Sequence, residues 1–236
     1  MAGKLYGIGV GPGDPGLITL KAVSIIKAVP VVIAPKSALE SESLALAVVR
    51  EHIDLSRQKV ITPLFPMSMK KDVLESAWAE AAKAASDELL TGKDVAFLTI
   101  GDPSLFSTYS YILEKIKKLV PDLQSETVPG VSSINLAAAR AGLDLALGQE
   151  RLAVMPMGKD LEQIKKTIAE FDTVVLMKVN RNFGDLKGML SKAGLSEKSL
   201  YIRRAGTDRE LVVRGLENVR DEDVDYFSLV IIKKYV

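Results

Sequence analysis

The sequence predicts an α/β protein of two unequal α/β domains, and three observations predict it. Through the first half, apolar strand-like runs alternate with helix-period patterns, as strands joined by helical crossovers do. In the second half the strand-like runs 210–214 and 226–232 have no helix between them, which calls for a mixed, largely antiparallel sheet. The first apolar run empties into Gly7-Ile-Gly-Val-Gly-Pro-Gly-Asp-Pro-Gly16, where five glycines and two prolines make a loop whose backbone turns sharply and lies close to another group.

Taken in order, a strand over 5–10 leads through that loop into a helix over 17–28. A strand over 31–34, a helix over 41–51 and a strand over 59–62 follow. The stretch 72–90 is alanine-rich and therefore helical, with Trp78 expected to pack on the sheet. A strand over 95–100 and a helix over 106–119 complete the first half. Val120-Pro-Asp-Leu-Gln124 is a polar break carrying proline, and it sets the expected boundary between domains 1–120 and 125–236. Beyond it come a helix over 134–141, strands over 151–156, 173–179, 199–204, 210–214 and 226–232, and helices over about 160–170 and 182–193. The two domains are expected to face each other across a cleft that holds the active site.

Composition narrows the chemistry. In 236 residues with 47% hydrophobic content, 31 basic side chains meet 30 acidic ones for a net charge of +1, so no global field draws the chain to nucleic acid or an anionic membrane. With no cysteine and His52 the single histidine, a disulfide framework, thiol catalysis and Cys/His zinc sites are excluded, and no metal is expected. Neither a signal-peptide pattern nor an apolar run of membrane length is present, so the expected location is the cytoplasm.

The glycine loop contains Gly11-Pro-Gly13-Asp-Pro-Gly16, which satisfies the dinucleotide pattern G-x-G-x-x-G in letters only. Pro12 and Pro15 remove two of the backbone donors that pyrophosphate needs, Asp14 repels it, and no acidic residue ends the second strand. Two more loops follow strands: Thr99-Ile-Gly-Asp-Pro-Ser-Leu-Phe-Ser107 and Val128-Pro-Gly-Val-Ser-Ser133. Loops at the carboxyl ends of strands in an open α/β sheet converge on ligands. The purely structural alternative is that Asp102 and Ser132 or Ser133 only cap the helices that follow.

The ordered set Gly-x-Gly-Pro-Gly-Asp-Pro, Gly-Asp-Pro at 101–103 and Val-Pro-Gly-Val-Ser-Ser at 128–133 resembles the tetrapyrrole methylase family of S-adenosylmethionine-dependent methyltransferases. The strings 101–111, 149–156 and 226–234 resemble the branch of that family that methylates C20 of precorrin-2 or cobalt-factor II. The resemblance implies a homodimer that takes a small tetrapyrrole, binds neither nucleic acid nor membrane, and holds S-adenosylmethionine in the cleft. It implies cofactor contacts at Pro12, Ile100, Gly101, Asp102, Leu105, Ser132, Ser133, Met177, Ala205 and Gly206, those at Ile100 and Ala205 through backbone.

Methyl transfer from a sulfonium to an electron-rich carbon needs alignment and a dry, non-anionic surround rather than a protein nucleophile. Asp102 is the acid expected in the site, as a hydrogen-bond acceptor or as the base that takes the proton from the methylated carbon. Substrate carboxylates require basic side chains, for which Lys36, Arg151, Lys178, Arg181, Arg203 and Arg204 stand at strand ends. Tyr109, with Phe106 and Tyr111, is the candidate ring-stacking wall or ordinary helix packing. A sister precorrin or uroporphyrinogen-III methylase, a diphthine-synthase-like or ribosomal-RNA-methylating relative, and a non-catalytic nucleotide-binding module remain open alternatives.

Overall fold

The computed structural model describes residues 1–38, 40, 42–66, 68 and 70–234. Its contacts divide it into two units, Met1–Ser132 and Ser133–Val236.

In the first unit, β1 (Leu5–Gly9), β2 (Val31–Ile33), β3 (Lys59–Ile61), β4 (Val95–Thr99) and β5 (Ser125–Val128) form a parallel sheet in the order β3-β2-β4-β1-β5. The central strands are apolar on both faces because helices cover both. On one side α3 (Lys71–Leu90) and α4 (Tyr109–Leu119) bury Ala81, Ala85, Ile112 and Ile116 against Leu5, Ile33, Val95 and Phe97. On the other, α1 (Leu20–Ala28) and α2 (Leu44–Val49) bury Ile26 and Val48 against Ile8, Val32 and Leu98. Trp78 packs against the first of these core layers and stacks on Tyr111 of α4 with ring centroids 4.5 Å apart.

The break at 120–124 does not end this unit. The chain returns as β5, paired in parallel with β1 from Leu5↔Ser125 to Ile8↔Val128, and the division falls after Ser132. Ser125, Glu126 and Thr127 are polar and Val128 alone is buried, so this edge strand has no apolar run to announce it.

The second unit begins with α5 (Ser133–Ala141) and continues with β6 (Leu152–Pro156), α6 (Leu161–Glu170), β7 (Thr173–Met177), α7 (Phe183–Lys192), β8 (Ser199–Arg203), β9 (Leu211–Arg214) and β10 (Ser228–Lys233). Its sheet runs β6-β7-β10-β8-β9, with the β6–β7 pair parallel and the other three pairs antiparallel. Ile164, Phe183, Leu186 and Leu190 of α6 and α7 cover Val174, Leu176, Tyr201 and Val230 on one face. On the opposite face, Lys233 lies buried and donates to Asp144 O at 2.7 Å and Glu150 Oε2 at 3.1 Å, tying the segment after α5 to β10. Among the described residues, no helix is long and apolar enough to cross a membrane.

Candidate binding edges

In the first unit the loops after β1, β4 and β5 meet backbone to backbone. Gly101 N donates to Gly11 O at 2.8 Å, closing a bridge between the first two loops. A Cβ on Gly9 would lie 2.5 Å from Gly101 O and 2.7 Å from Gly130 N; one on Gly130 would lie 2.3 Å from Gly101 O. No side chain fits at either position, and neither glycine has a positive φ, so close approach is what requires them. Gly101 differs: its φ is +73°, and a Cβ there would meet nothing within 4 Å. The floor is closed and one glycine faces open space. Gly9 and Gly130 lie inside the loop motifs, where the sequence alone does not set them apart from the other glycines. Their signal is position: Gly9 is the last residue of β1 and Gly130 comes two residues after β5.

Asp102 fastens this arrangement. Its Oδ1 accepts from Ser104 N at 2.8 Å and from the Ser104 hydroxyl, and its Oδ2 accepts from Gly130 N at 3.0 Å. Burial by itself would raise its pKa, but the bonds from Ser104 and Gly130 outweigh it and hold the carboxyl below the ordinary carboxylate range. A carboxylate stabilised in this way is a poor proton acceptor, so the geometry makes Asp102 a clasp between two loops and argues against the role of base. Pro12 is buried and Ile100, Leu105 and Ser132 are half-buried around the same edge. Ser133 opens α5 in the second unit. The residues fit a sulfonium donor: the segments 11–17, 100–108 and 129–133 contain no lysine, arginine or histidine to repel a cation or to hold a phosphate, and the Asp102 carboxylate is engaged by Ser104 and Gly130.

Not every expected residue stands at this edge. Tyr109 is 2% exposed, its ring buried with Phe97 in the core and filling the space that Gly7 leaves, since a Cβ on Gly7 would lie 2.0 Å from its Cζ. Tyr109 is therefore a core residue, and the expectation that it binds substrate is corrected. Lys36 follows β2 at the carboxyl end of the same sheet, where its backbone pairs with Pro63 and Phe65.

In the second unit, strand directions gather one set of residues at one end of the sheet. Met177 ends β7 and pairs with Leu229, while Ser228 pairs with Arg203 at the end of β8. Lys178, with its Nζ 5.8 Å from the Tyr226 ring centroid, and exposed Arg181 lie in the loop after β7. Arg204, buried Ala205 and Gly206 lie in the turn after β8, closed by Thr207 N donating to Arg204 O. Arg204 Nε pairs with Asp225 at 2.8 Å and Arg203 with Asp223 at 3.1 Å. A hollow of about 360 Å³ is lined here by Arg203, Arg204 and Arg209 with Asp208, Glu210 and Asp225, so its basic groups are balanced rather than bare.

Arg151 stands elsewhere. It precedes β6, whose Leu152 pairs with Thr173 at the start of β7, and its side chain bonds Glu170 O while its Cζ lies 5.4 Å from the Phe171 ring. It belongs to the end of the sheet opposite Lys178, Arg181 and Arg204, apart from the other substrate candidates: the sequence marks a strand end without saying which.

Backbone strain picks out the same ends. The non-glycine residues with positive φ among those described are Phe106 (49°) after β4, Lys178 (60°) and Asn182 (59°) after β7, and Arg204 (48°) after β8. Such conformations cost about 1–3 kcal/mol each and persist only where the surroundings enforce them, which is most often at functional sites.

Glycine-floored loops at strand ends that contain no lysine, arginine or histidine, together with clustered strain, define a ligand-binding α/β scaffold unsuited to nucleotide phosphate. The chain belongs to the tetrapyrrole (corrin/porphyrin) methylase family, whose model matches residues 4–218. It is 37% identical to the cobalt-precorrin-2 C(20)-methyltransferase of Salmonella typhimurium over 99% of this chain and 98% of that one. It is 36% identical to the probable cobalt-precorrin-2 C(20)-methyltransferase of Methanocaldococcus jannaschii, over 98% and 96%. Among solved structures, the uroporphyrin-III C-methyltransferase of Thermus thermophilus complexed with S-adenyl homocysteine matches with a TM-score of 0.65 and 25% identity, over 98% of each chain. A cobalt precorrin-4 methyltransferase shares the fold with a TM-score of 0.73 and 23% identity, over 98% of this chain and 94% of that one.

Proposed function

We propose that this chain transfers the methyl group of S-adenosylmethionine to C20 of precorrin-2 or of cobalt-factor II in cobalamin biosynthesis. The observation that carries the reading is the first unit's glycine floor, with open space above Gly101 and no cationic side chain in its three loops. The named activity of relatives that match nearly end to end supports the choice of substrate. S-adenosylmethionine would supply an activated methyl group to the electron-rich meso carbon, the C–S bond breaking as the C–C bond forms, with S-adenosylhomocysteine as the leaving group and the proton displaced from that carbon released to water.

The chain's own part is placement. Pro12, Ile100, Gly101, Leu105 and Ser132 present backbone and apolar surface to the donor, and Asp102 holds their loops together without acting as the base. Ser133, Met177, Ala205 and Gly206 are further candidates for the donor, and Lys36, Lys178, Arg181 and Arg204 for the substrate's carboxylates. We place the protein in the cytoplasm as a homodimer, a state that light scattering at micromolar concentration tests directly.

The reading is tested by supplying precorrin-2 and its cobalt complex, each with methyl-labelled donor, anaerobically and locating the label by NMR. Label at C20 is expected. Label at another ring carbon, or in protein or RNA offered in parallel, refutes it.

A further inference from the structure

The turn after β8 reverses sharply, with Arg204 at φ 48° and Gly206 at φ 83°, both left-handed. Its shape is set from within: Thr207 N and the Thr207 hydroxyl donate to Arg204 O at 3.1 and 2.9 Å, and Arg209 N donates to Thr207 Oγ1 at 3.2 Å. Its near side is anchored through Arg204, whose N donates to Phe227 O at 2.7 Å and whose Nε pairs with Asp225 at 2.8 Å. The far side, at Gly206, has no side chain by which to be held.

Glu210 holds it through the main chain. This residue directly precedes β9, and its side chain is 23% exposed. Its Oε2 reaches back to accept from Gly206 N at 2.6 Å, a charge-assisted bond, while its Oε1 lies 3.2 Å from Arg140 Nε of α5. Arg214 of β9 donates to Ala141 O at the end of α5, so helix and strand are joined a second time. One carboxylate therefore ties the turn that carries Gly206 to the helix that opens at Ser133.

We propose that Glu210 is a positioning residue for the methyl donor: by holding Gly206 N it sets the orientation of this turn toward S-adenosylmethionine and keeps it in register with α5. This rests on the proposed function, in which Gly206 and Ser133 are candidates for the donor. A turn ordered before its ligand arrives costs less to order on binding, so the bond to Gly206 should be read in donor affinity rather than in affinity for the tetrapyrrole.

Reach and charge can be separated. Glu210→Asp keeps the charge but is one methylene shorter, which draws the carboxylate away from Gly206 N. Glu210→Gln keeps the reach and an accepting oxygen but not the charge. We expect Glu210→Asp to bind S-adenosylhomocysteine on the order of tenfold more weakly than wild type in calorimetry, the scale of one lost charge-assisted bond, with a matching rise in KM for S-adenosylmethionine. Glu210→Gln should stay within threefold of wild type. In both variants KM for precorrin-2 or its cobalt complex, measured at saturating donor, should remain within twofold, a split that a general loss of structure would not give.

Donor affinity within twofold of wild type in Glu210→Asp overturns the inference. So does a loss in Glu210→Gln as large as that in Glu210→Asp, because the charge facing Arg140 rather than the bond to Gly206 would then be what counts. Should Glu210→Asp fail to fold, Glu210→Ala takes its place beside Glu210→Gln under the same criteria. Wild type titrated alongside separates the two readings: no binding of S-adenosylhomocysteine by wild type refutes the proposed function and the role of Glu210 with it, whereas wild-type binding that Glu210→Asp leaves unchanged refutes only the role of Glu210.

Discussion

Replacing Gly130 by alanine is the most direct test of the glycine floor. The new methyl group would sit 2.3 Å from Gly101 O and 2.7 Å from both C and O of Gly9, and all three are backbone atoms that no rotamer change can clear. Overpacking of this kind costs about 1–3 kcal/mol. Moving the loop away also stretches the Gly130 N to Asp102 bond, a charge-assisted bond worth about 1.5–3 kcal/mol. Because one displacement causes both losses, roughly 3 kcal/mol is expected rather than the full sum, equivalent to about 10 °C in the thermal midpoint for a chain of this size. Gly101→Ala makes the contrast. Its Cβ meets nothing within 4 Å, so the only stability term is the left-handed backbone at φ +73°, about 1–2 kcal/mol. Its methyl group nevertheless enters the space assigned to the donor. Circular dichroism melts and calorimetric titration with S-adenosylhomocysteine should therefore separate the pair: Gly130→Ala loses stability first, and Gly101→Ala loses affinity out of proportion to stability. A Gly130→Ala protein that melts within 2 °C of wild type would refute the packing argument.

Asp102→Ala should lower stability at pH 7 by about 2 kcal/mol in urea unfolding, since it leaves the donors of Ser104 and Gly130 without their acceptor. Because the folded carboxyl titrates below its unfolded value, this contribution is present above the ordinary aspartate pKa and fades as pH falls through the lower folded one. The gap between mutant and wild type should narrow in acid, and a constant gap would contradict the clasp. Arg151→Glu should leave donor affinity and substrate KM within twofold of wild type in steady-state assays, given its place at the far end of its sheet; a tenfold rise in KM would restore it as a clamp. Glu126, bonded by Lys21 and Lys4, should titrate at about 2 in a carboxyl NMR experiment at low salt. Its ion pairs therefore contribute above the ordinary glutamate pKa and are lost only as pH falls through about 2, and an ordinary value would show that they do not hold in solution.

Much of the architecture was legible in the chain because the central strands are buried on both faces and read as unbroken apolar runs, as Val95–Thr99 and Thr173–Met177 do. What escaped lay where burial is one-sided or pairing is remote. β5 is polar at three of its four residues and owes its place to β1, some 120 residues earlier, so nothing local separates it from the proline-bearing break that precedes it. The three loops of the binding edge were identifiable by their glycines. The division of labour among those glycines was not: Gly7 makes room for an aromatic ring, Gly9 and Gly130 for backbone, and Gly101 for a turn. The spacing of Tyr109, Tyr111 and Phe106 could not say which ring faces the core, because the helix begins only at Tyr109. Arg151 shows the same limit, since the two ends of a strand become distinct only when its neighbours' directions are known.

The interlocked glycines also constrain how this scaffold can be re-engineered. Segments 9–11, 101–104 and 129–130 touch through main-chain atoms and one carboxylate, so each is shaped to the other two. Transplanting any one of them into a homologous framework would bring a mismatched surface against two resident loops, whereas moving all three together carries the fit along. Selectivity is better sought in side chains that stand on this platform, such as half-buried Leu105, whose bond to Asp102 O is made by its backbone.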